Sequence, residues 1–424
     1  MKKVLGFMLF LLPFWLQGEI YVLRIDGPVD TLLEEYVVDS FKKMQKAGDA
    51  SLVVIEMDTP GGFDTSMRSI IKAMLNAGFP IAVFVSPKGA RAASAGFFIL
   101  LAANLAAMAP GTNTGAAHPV SVTGADIEKT MKEKVTNDAV SYVKTLARNH
   151  RRDEEMAAKA VSESRSYTAE ECLKGGLVDL IAVDTKDLLG RLQGKTVTRA
   201  DGKEITLDLL GEKVVPLKMS ERQKFLRTIT NPNLAYFLLI FGLIGLYIEF
   251  THPGGVIPGI LGGISLLLAF LAFQVLPINY VGLFLILLSV GFFIAEIKVQ
   301  GFGILGVGGI VSFVLGSIIL INSPIPEMRP AMPMIITFAV CFAGILLFLS
   351  WKVFAAMKRR KETGADGIIG EIGVAKTDID PRQGKVFVHG EWWNAVSDGL
   401  IPAGSRVRVE AVENLVLKVT KIGG

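Results

Sequence analysis

Lys88-Gly89-Ala90-Arg91-Ala92-Ala93-Ser94-Ala95-Gly96 decides how the first half of this chain is read, because it sets a hydroxyl among small residues between two apolar runs. Upstream, Pro80-Ile81-Ala82-Val83-Phe84-Val85 is short, rich in β-formers and bounded by Pro80 and Pro87, which predicts a buried strand. Downstream, Ala95 to Ala103 is apolar throughout and predicts a buried helix. Ser94 then stands at a helix amino terminus. There the unbonded backbone N–H groups and the helix dipole favour developing negative charge, and Ala95 and Gly96 leave room for a substrate backbone. Two roles are open to Ser94: nucleophile, or cap of the helix, which is the ordinary use of serine at such a position.

Working outward, strand-like and helix-like pieces alternate from about residue 19 to 195. A strand at Ile20 to Ile25, a helix at Thr31 to Lys46, a strand at Ser51 to Met57 and a helix at Asp64 to Asn76 precede the Pro80 strand. Such alternation predicts an α/β domain with largely parallel strands. Asp58-Thr59-Pro60-Gly61-Gly62 is a turn whose glycines reach backbone angles closed to other residues. Set opposite Ser94, the N–H of Gly62 would pair with that of Ala95 to hold an oxyanion. Ala107 to Ala116 reads as strand and turn, and a helix follows at about Asp126 to Asn149 with Met131, Val135, Ala139, Tyr142 and Leu146 as its apolar stripe. It carries Lys129, Lys132, Lys134 and Lys144; periodicity puts Lys132 nearer the buried face than Lys134 and does not choose a base between them. Thr168 to Asp179 reads as a short helix stopped by glycine and then a strand. Residues 196–232 are polar and mixed and read as a linker, with Glu221 to Arg227 lying along a bilayer surface.

For 424 residues, 51% hydrophobic content and a mean hydropathy of +0.46 exceed what a soluble protein needs. The excess is concentrated in five runs, about 234–250, 256–276, 279–297, 301–322 and 333–354. Each is near the ~20 residues that span hydrocarbon, so residues 233–356 read as a membrane domain of about five helices. Met1-Lys2-Lys3 followed by Val4 to Leu16 has the form of a secretory signal, cleaved or kept as an anchor over residues 1–18, and predicts export of the α/β domain after it. With that domain outside, five crossings bring the chain to the cytoplasmic side at Lys358-Arg359-Arg360-Lys361, as the positive-inside rule expects; Arg222, Lys224 and Arg227 run against the rule.

Glu249 followed by Gly259-Ile260-Leu261-Gly262-Gly263-Ile264 is echoed by Glu296 followed by Gly303-Ile304-Leu305-Gly306-Val307-Gly308-Gly309-Ile310, a weak internal repeat whose glycines suit close helix contact. Its carboxylates are either functional or interfacial. From 362 to 424, short β-rich pieces punctuated by Pro381, Gly390, Pro402, Gly404 and Asn414 predict a small β-barrel of the OB type. On it Trp392-Trp393 is either a ligand face or one buried and one rim residue. A net charge of +4 with one basic cluster, itself beside an apolar run, argues against a nucleic-acid partner. Two cysteines, Cys172 and Cys341, and four scattered histidines supply neither a disulfide framework nor a metal set.

Asp58-Thr59-Pro60-Gly61-Gly62, Ser94-Ala95-Gly96, Ala109-Pro110-Gly111-Thr112 and the Thr168 to Asp179 unit resemble the ClpP/crotonase fold in its membrane-bound serine protease branch. The glycine-rich spans and Gly390-Glu391-Trp392-Trp393-Asn394-Ala395 resemble the NfeD proteins. In their order and spacing they look like the long NfeD form, the stomatin operon partner proteins. The resemblance implies a Ser-Lys dyad in the domain 19–195, with Ser94 as nucleophile, Lys134 as general base, Lys132 as the fallback, and the N–H groups of Gly62 and Ala95 as oxyanion donors. It also implies stomatin-like membrane proteins as partners, apolar peptide segments as substrates, self-association of the protease domain, and no metal or cofactor. Phe97-Phe98 depart from the smaller or polar residues of relatives and bear on how substrate fits beside Ser94; Asn414 replaces a glycine and tolerates the same left-handed backbone. Two other readings compete: a non-enzymatic scaffold for stomatin-like assemblies, and an acyl-CoA enzyme using the same oxyanion geometry, against which export counts.

Overall fold

The computed structural model describes residues 18–121, 128–199, 202–252, 254–299, 303–323, 325–358 and 365–423. The signal stretch, Asp126 and the basic cluster beyond Lys358 lie outside the described residues. The chain divides after Phe342 into two compact units.

In the first unit β1 (Glu19–Asp26), α1 (Thr31–Ala47), β2 (Ala50–Asp58), α2 (Asp64–Leu75) and β3 (Ile81–Val85) alternate as the sequence predicts. A short strand, β4 (Arg91–Ala93), then intervenes before α3 (Ala95–Leu101). There follow β5 (Leu105–Met108), β6 (Asn113–Gly115), α4 (Lys129–Asn149), α5 (Glu154–Ser162), β7 (Ser166–Thr168), α6 (Ala169–Lys174), β8 (Leu180–Ile181) and α7 (Thr185–Leu192). Next come β9 (Thr196–Thr198), β10 (Glu204–Thr206), β11 (Lys213–Pro216) and α8 (Glu221–Ile229).

Six strands make one parallel sheet in the order β11-β1-β2-β3-β5-β8. Strands of such sheets are covered on both faces, which is why every residue of β3 is buried. Alternate side chains feed two cores. Leu23, Ile55, Val83 and Met108 meet α1, α2 and α3 on one face. On the other, Leu52, Val54, Phe84 and Ala107 meet Leu188 and Leu192 of α7 and Val197 of β9. This second core corrects the linker reading of residues 196–232. The β9–β10 hairpin covers the sheet, Leu207 and Leu209 are buried beside it, and β11 pairs with β1 as an edge strand. Polar composition hides these residues because few apolar side chains are needed to close one face of a sheet. A second, three-stranded sheet, β4-β6-β7, carries the serine stretch.

The membrane part has α9 (Pro232–Thr251), α10 (Ile257–Phe273), α11 (Tyr280–Val299), α12 (Ile304–Leu320) and α13 (Met332–Lys358), with a 3-10 turn at Pro326–Met328. By length and composition three helical stretches, Pro232–Thr251, Tyr280–Val299 and Pro326–Lys352, are long enough to cross a bilayer; α10 and α12, at 17 residues each, are shorter than the expected runs. They pack as hairpins, α9 with α10 and α11 with α12, and so give the sequence repeat a structural meaning. A Cβ on Gly245 would lie 2.9 Å from Gly262 Cα, and one on Gly316 would lie 2.8 Å from the Gly282 carbonyl oxygen. Glycine lets these backbones touch. The repeated glutamates act at the hairpin turns. Glu296 accepts the N–H groups of Gly303 (2.7 Å) and Gly306 (3.1 Å) at the start of α12, and Glu249 accepts that of Gly254 (3.4 Å) before α10.

The second unit ends in α14 (Ala365–Ile368), β12 (Ile372–Ala375), β13 (Lys385–Val388), β14 (Glu391–Val396), β15 (Arg406–Glu413) and β16 (Val416–Lys421), a closed barrel in the order β12-β13-β14-β16-β15. Four of these strands lie where the sequence predicts β-rich pieces; β14 is additional and runs through the tryptophan pair. Trp392 on it is exposed and Trp393 half-buried. Asn414, at φ 49°, adopts the left-handed backbone its replacement of glycine requires.

Candidate active site

Thr59 binds the β2–α2 turn to the serine stretch. Its N–H donates to the Arg91 carbonyl (2.7 Å), its own carbonyl accepts from Ala93 N–H (3.1 Å), and Asp58 Oδ1 accepts from Arg91 N–H (3.0 Å). On the other side Ser94 N–H donates to the Gly115 carbonyl of β6 (2.9 Å). Held from both sides, Ser94 has φ 52° and ψ −116°. A non-glycine residue rarely accepts such a backbone, and it persists only where the surroundings enforce it. The hydroxyl of Ser94 makes no capping bond to α3, so of the two roles open in the sequence the cap is not realised.

The two turn glycines serve different neighbours. Gly61, at φ 114°, faces the serine: a Cβ there would lie 2.6 Å from Ser94 Cβ. Gly62 faces away, and its Cβ would lie 2.1 Å from the Val29 carbonyl oxygen. Their N–H groups differ too. Gly61 N–H is taken by Thr59 Oγ1 at 3.1 Å, whereas among the described residues the N–H groups of Gly62 and Ala95 have no acceptor. Gly96 is fixed by the same packing, since a Cβ there would sit 2.4 Å from Thr59 Cγ2. Gly61 and Thr59 stand in the turn motif, but the sequence does not show that one faces the serine and the other ties the turn.

Phe97 and Phe98, the departure from relatives, point into the core; Phe98 stacks on Tyr142 of α4 with ring centroids 6.0 Å apart. The far end of α3 is closed by Arg152, a buried guanidinium that donates to the carbonyls of Leu101 (2.5 Å) and Ala103 (2.9 Å) and pairs with Asp179 (3.1 Å). Nothing in the sequence marks Arg152, because its carboxylate partner is supplied by another part of the chain. Beside it, burial and the Arg152 charge push His150 down to about 4. It is therefore neutral at pH 7. His118 donates from Nδ1 to the Val161 carbonyl (3.0 Å), and among the described residues neither histidine contacts Ser94. Burial lifts the Cys172 thiol to about 12, so it is no thiolate nucleophile.

Among the described residues, α4 is held along its carboxyl-terminal part alone. Ala139, Val143, Leu146 and Ala147 are buried, and Arg68 of α2 joins Asp138 (2.5 Å) while lying 4.5 Å over the Tyr142 ring. Towards the amino terminus Met131 and Val135, expected in the apolar stripe, are exposed. Lys132 and Lys134 are exposed as well and make no side-chain hydrogen bond or ion pair among the described residues. The structure thus packs Gly61, not Gly62, against Ser94, with Ala95 next in the chain; among the described residues neither lysine hydrogen-bonds to Ser94. Arg91, three residues before Ser94, is paired with Glu327 of the 3-10 turn between α12 and α13 at 2.7 Å.

Three family models match the chain: NfeD1b, N-terminal domain, over residues 19–193; NfeD integral membrane domain over 233–352; and NfeD-like C-terminal, partner-binding domain, over 365–421. Membrane-bound protease PH1510 of Pyrococcus horikoshii is 33% identical over 443 residues, covering 99% of this chain and 98% of that protein. Membrane protein NfeD1b of Bacillus subtilis is 26% identical over 425 residues, covering 95% and 93%. Solved structures similar to the first part of the chain include the 1510-N membrane protease specific for a stomatin homolog from P. horikoshii (30% identity, 50% of this chain and 98% of that one, TM-score 0.44). Another is a lysine-to-alanine mutant of the 1510-N membrane-bound stomatin-specific protease with a substrate peptide (30% identity, 50% and 98%, TM-score 0.46). The chain belongs to the long-form NfeD family, together with the membrane-bound protease of P. horikoshii.

Proposed function

We propose that this chain is a membrane-anchored serine endopeptidase that cuts apolar segments of membrane proteins through an acyl-enzyme, with Ser94 as nucleophile and Lys134 as general base. The observation that carries the reading is the setting of Ser94: an enforced left-handed backbone, a hydroxyl not used as a cap, and two N–H groups without acceptors among the described residues, those of Gly62 and Ala95. Neutral Lys134 takes the Ser94 proton as Oγ attacks the scissile carbonyl. The oxyanion of the tetrahedral intermediate accepts the two N–H groups, and the lysine returns the proton to the leaving amine. Water then attacks the ester, with the lysine again as base, and frees the acyl fragment.

A solvated lysine is protonated at neutral pH, its ordinary pKa being ~10.4, and becomes a base only when desolvated. Because no described residue covers the first turns of α4, an apolar substrate segment lying across Met131 and Val135 supplies that desolvation, as does self-association of the domain. The Arg91–Glu327 pair favours a membrane-borne substrate, since it sets the serine strand beside a turn of the membrane part. A stomatin-like membrane protein is the proposed partner. The protease domain is placed on the exported side and the barrel on the cytoplasmic side, as an odd number of crossings allows, whether three or five.

One observation favours the second reading, a non-enzymatic scaffold for stomatin-like assemblies: Lys132 and Lys134 are exposed and make no hydrogen bond to Ser94 among the described residues. The test is cleavage of apolar peptides and of a stomatin-like membrane protein by the full chain, alongside Ser94→Ala, Lys134→Ala and Lys132→Ala. Loss of about 10³-fold or more in the first two variants, with cutting retained in the third, is the expected result. Cutting that survives Ser94→Ala contradicts the mechanism, and partner binding without cutting by any form favours the scaffold.

A further inference from the structure

The outer-side cations that run against the charge rule border a groove. Met219, Lys224, Arg227, Thr228, Asn231 and Leu234 line an open surface groove of about 500 Å3 between α8 and the first turn of α9. That volume is in the range that holds a small ligand. Its polar wall offers an ammonium, a guanidinium and the amide NH2 of Asn231, whose Oδ1 is already engaged by the N–H groups of Asn233 and Leu234, while the Thr228 hydroxyl donates to the Lys224 carbonyl (2.9 Å).

The charge of that wall is only partly met within the chain. Arg222 points elsewhere, to Glu35 at 2.7 Å. Lys224 has Glu221 at 2.6 Å, an exposed pair on one helix of a kind that contributes little. Arg227 donates to the Asp26 carbonyl, a neutral acceptor, and the nearby Asp30 carboxylate is engaged by the N–H of Leu33 as the cap of α1.

Depth identifies the ligand that fits there. Asn231 caps α9, and the apolar run that enters hydrocarbon begins one turn later, so the donors stand at the level of lipid headgroups. Below them Phe237 and Phe241 are exposed and stacked, centroids 5.8 Å apart, continuing the face of Leu234 down the span. On α8 Phe225 is also exposed, as an interfacial helix requires. We propose that this groove binds the phosphate of an anionic phospholipid headgroup, with an acyl chain lying along Leu234, Phe237 and Phe241. The site adjoins the segment Asp26 to Val29, which is hydrogen-bonded to the glycine turn: Gly27 N–H donates to the Asp58 carbonyl (2.9 Å) and Val29 N–H to that of Gly61 (2.8 Å). A bound headgroup therefore fixes the domain to the bilayer on the side of its oxyanion turn.

The test is native mass spectrometry of the full chain in detergent, titrated with short-chain phosphatidylglycerol, short-chain phosphatidylcholine or inorganic phosphate. Wild type is expected to bind phosphatidylglycerol saturably and in preference to phosphatidylcholine. The double variant Lys224→Gln/Arg227→Gln should bind it about tenfold or more weakly, and Arg227→Lys, which keeps the charge, should retain most of the affinity. Equal affinity of wild type and the double variant overturns the site. If inorganic phosphate displaces phosphatidylglycerol at comparable concentration, the site is a free-phosphate site and the lipid assignment is overturned.

Discussion

The two sides of the candidate site are built to different standards. Around Ser94 the backbone is over-determined: Thr59, Gly61 and Gly115 fix it from two strands, and Arg152 closes the far end of the helix it opens. Along the first turns of α4 nothing comparable exists among the described residues, for the lysines and their apolar neighbours are exposed and the grip on the helix begins at Asp138. The contrast teaches where a function of this kind is prepared and where it awaits a partner. Oxyanion geometry must exist before substrate arrives, because its value lies in donors that need no reorganisation. A lysine base gains from the reverse, since the event that covers it also makes it basic.

The contrast breaks most visibly at Arg152. Arg152→Met leaves the Asp179 carboxylate without its cation and α3 without its closure, at an expected cost of about 3–5 kcal/mol in chemical unfolding. Next is pH. His150 is neutral in the fold with its value lowered to about 4 against an ordinary 6.5, so the unfolded chain binds more protons between these limits. Stability should therefore be full above pH 6.5 and fall as pH drops towards 4, by about 3 kcal/mol at most, and His150→Gln should flatten that slope. Gly61→Ala drives a methyl to 2.6 Å from Ser94 Cβ and should lower cleavage about 10²-fold, the cost of a displacement near 1 Å at the reacting atom, with folding retained by circular dichroism. On the lysine side effects should shrink. Arg68→Ala removes the grip on Asp138 and Tyr142 and should lower thermal stability by about 1 kcal/mol, and Met131→Ser or Val135→Ser by under about 0.5 kcal/mol while weakening cleavage of apolar substrates. A large stability loss at Met131 would erase the contrast.

Legibility in the sequence divides in the same way. β3, α3 and the parallel alternation are readable because both faces of such strands are buried and their residues say so. Ser94 and the glycine turn stand out in the sequence, but the choice between cap and nucleophile does not, and only the structure shows that the hydroxyl makes no capping bond. Met131 and Val135 mislead: helical spacing reports an apolar stripe and is silent on what covers it, and here none of the described residues buries them. β4 escapes because three residues are too few for a period to register, and β14 because its six residues do not alternate between buried and exposed. Arg152 is invisible because a buried cation is explained only by Asp179, the Leu101 carbonyl and the Ala103 carbonyl meeting it in space. The folded state of residues 196–232 is hidden by the same economy, a few leucines among polar residues sufficing to close the sheet.

The most direct measurement is covalent labelling of the full chain in its membrane with a serine-directed fluorophosphonate, followed by mass spectrometry of the modified peptide. The account expects a single adduct, on Ser94, that is lost in Lys134→Ala and kept in Lys132→Ala. An adduct on another residue, or cleavage of apolar peptides by a chain whose Ser94 never reacts, would contradict it.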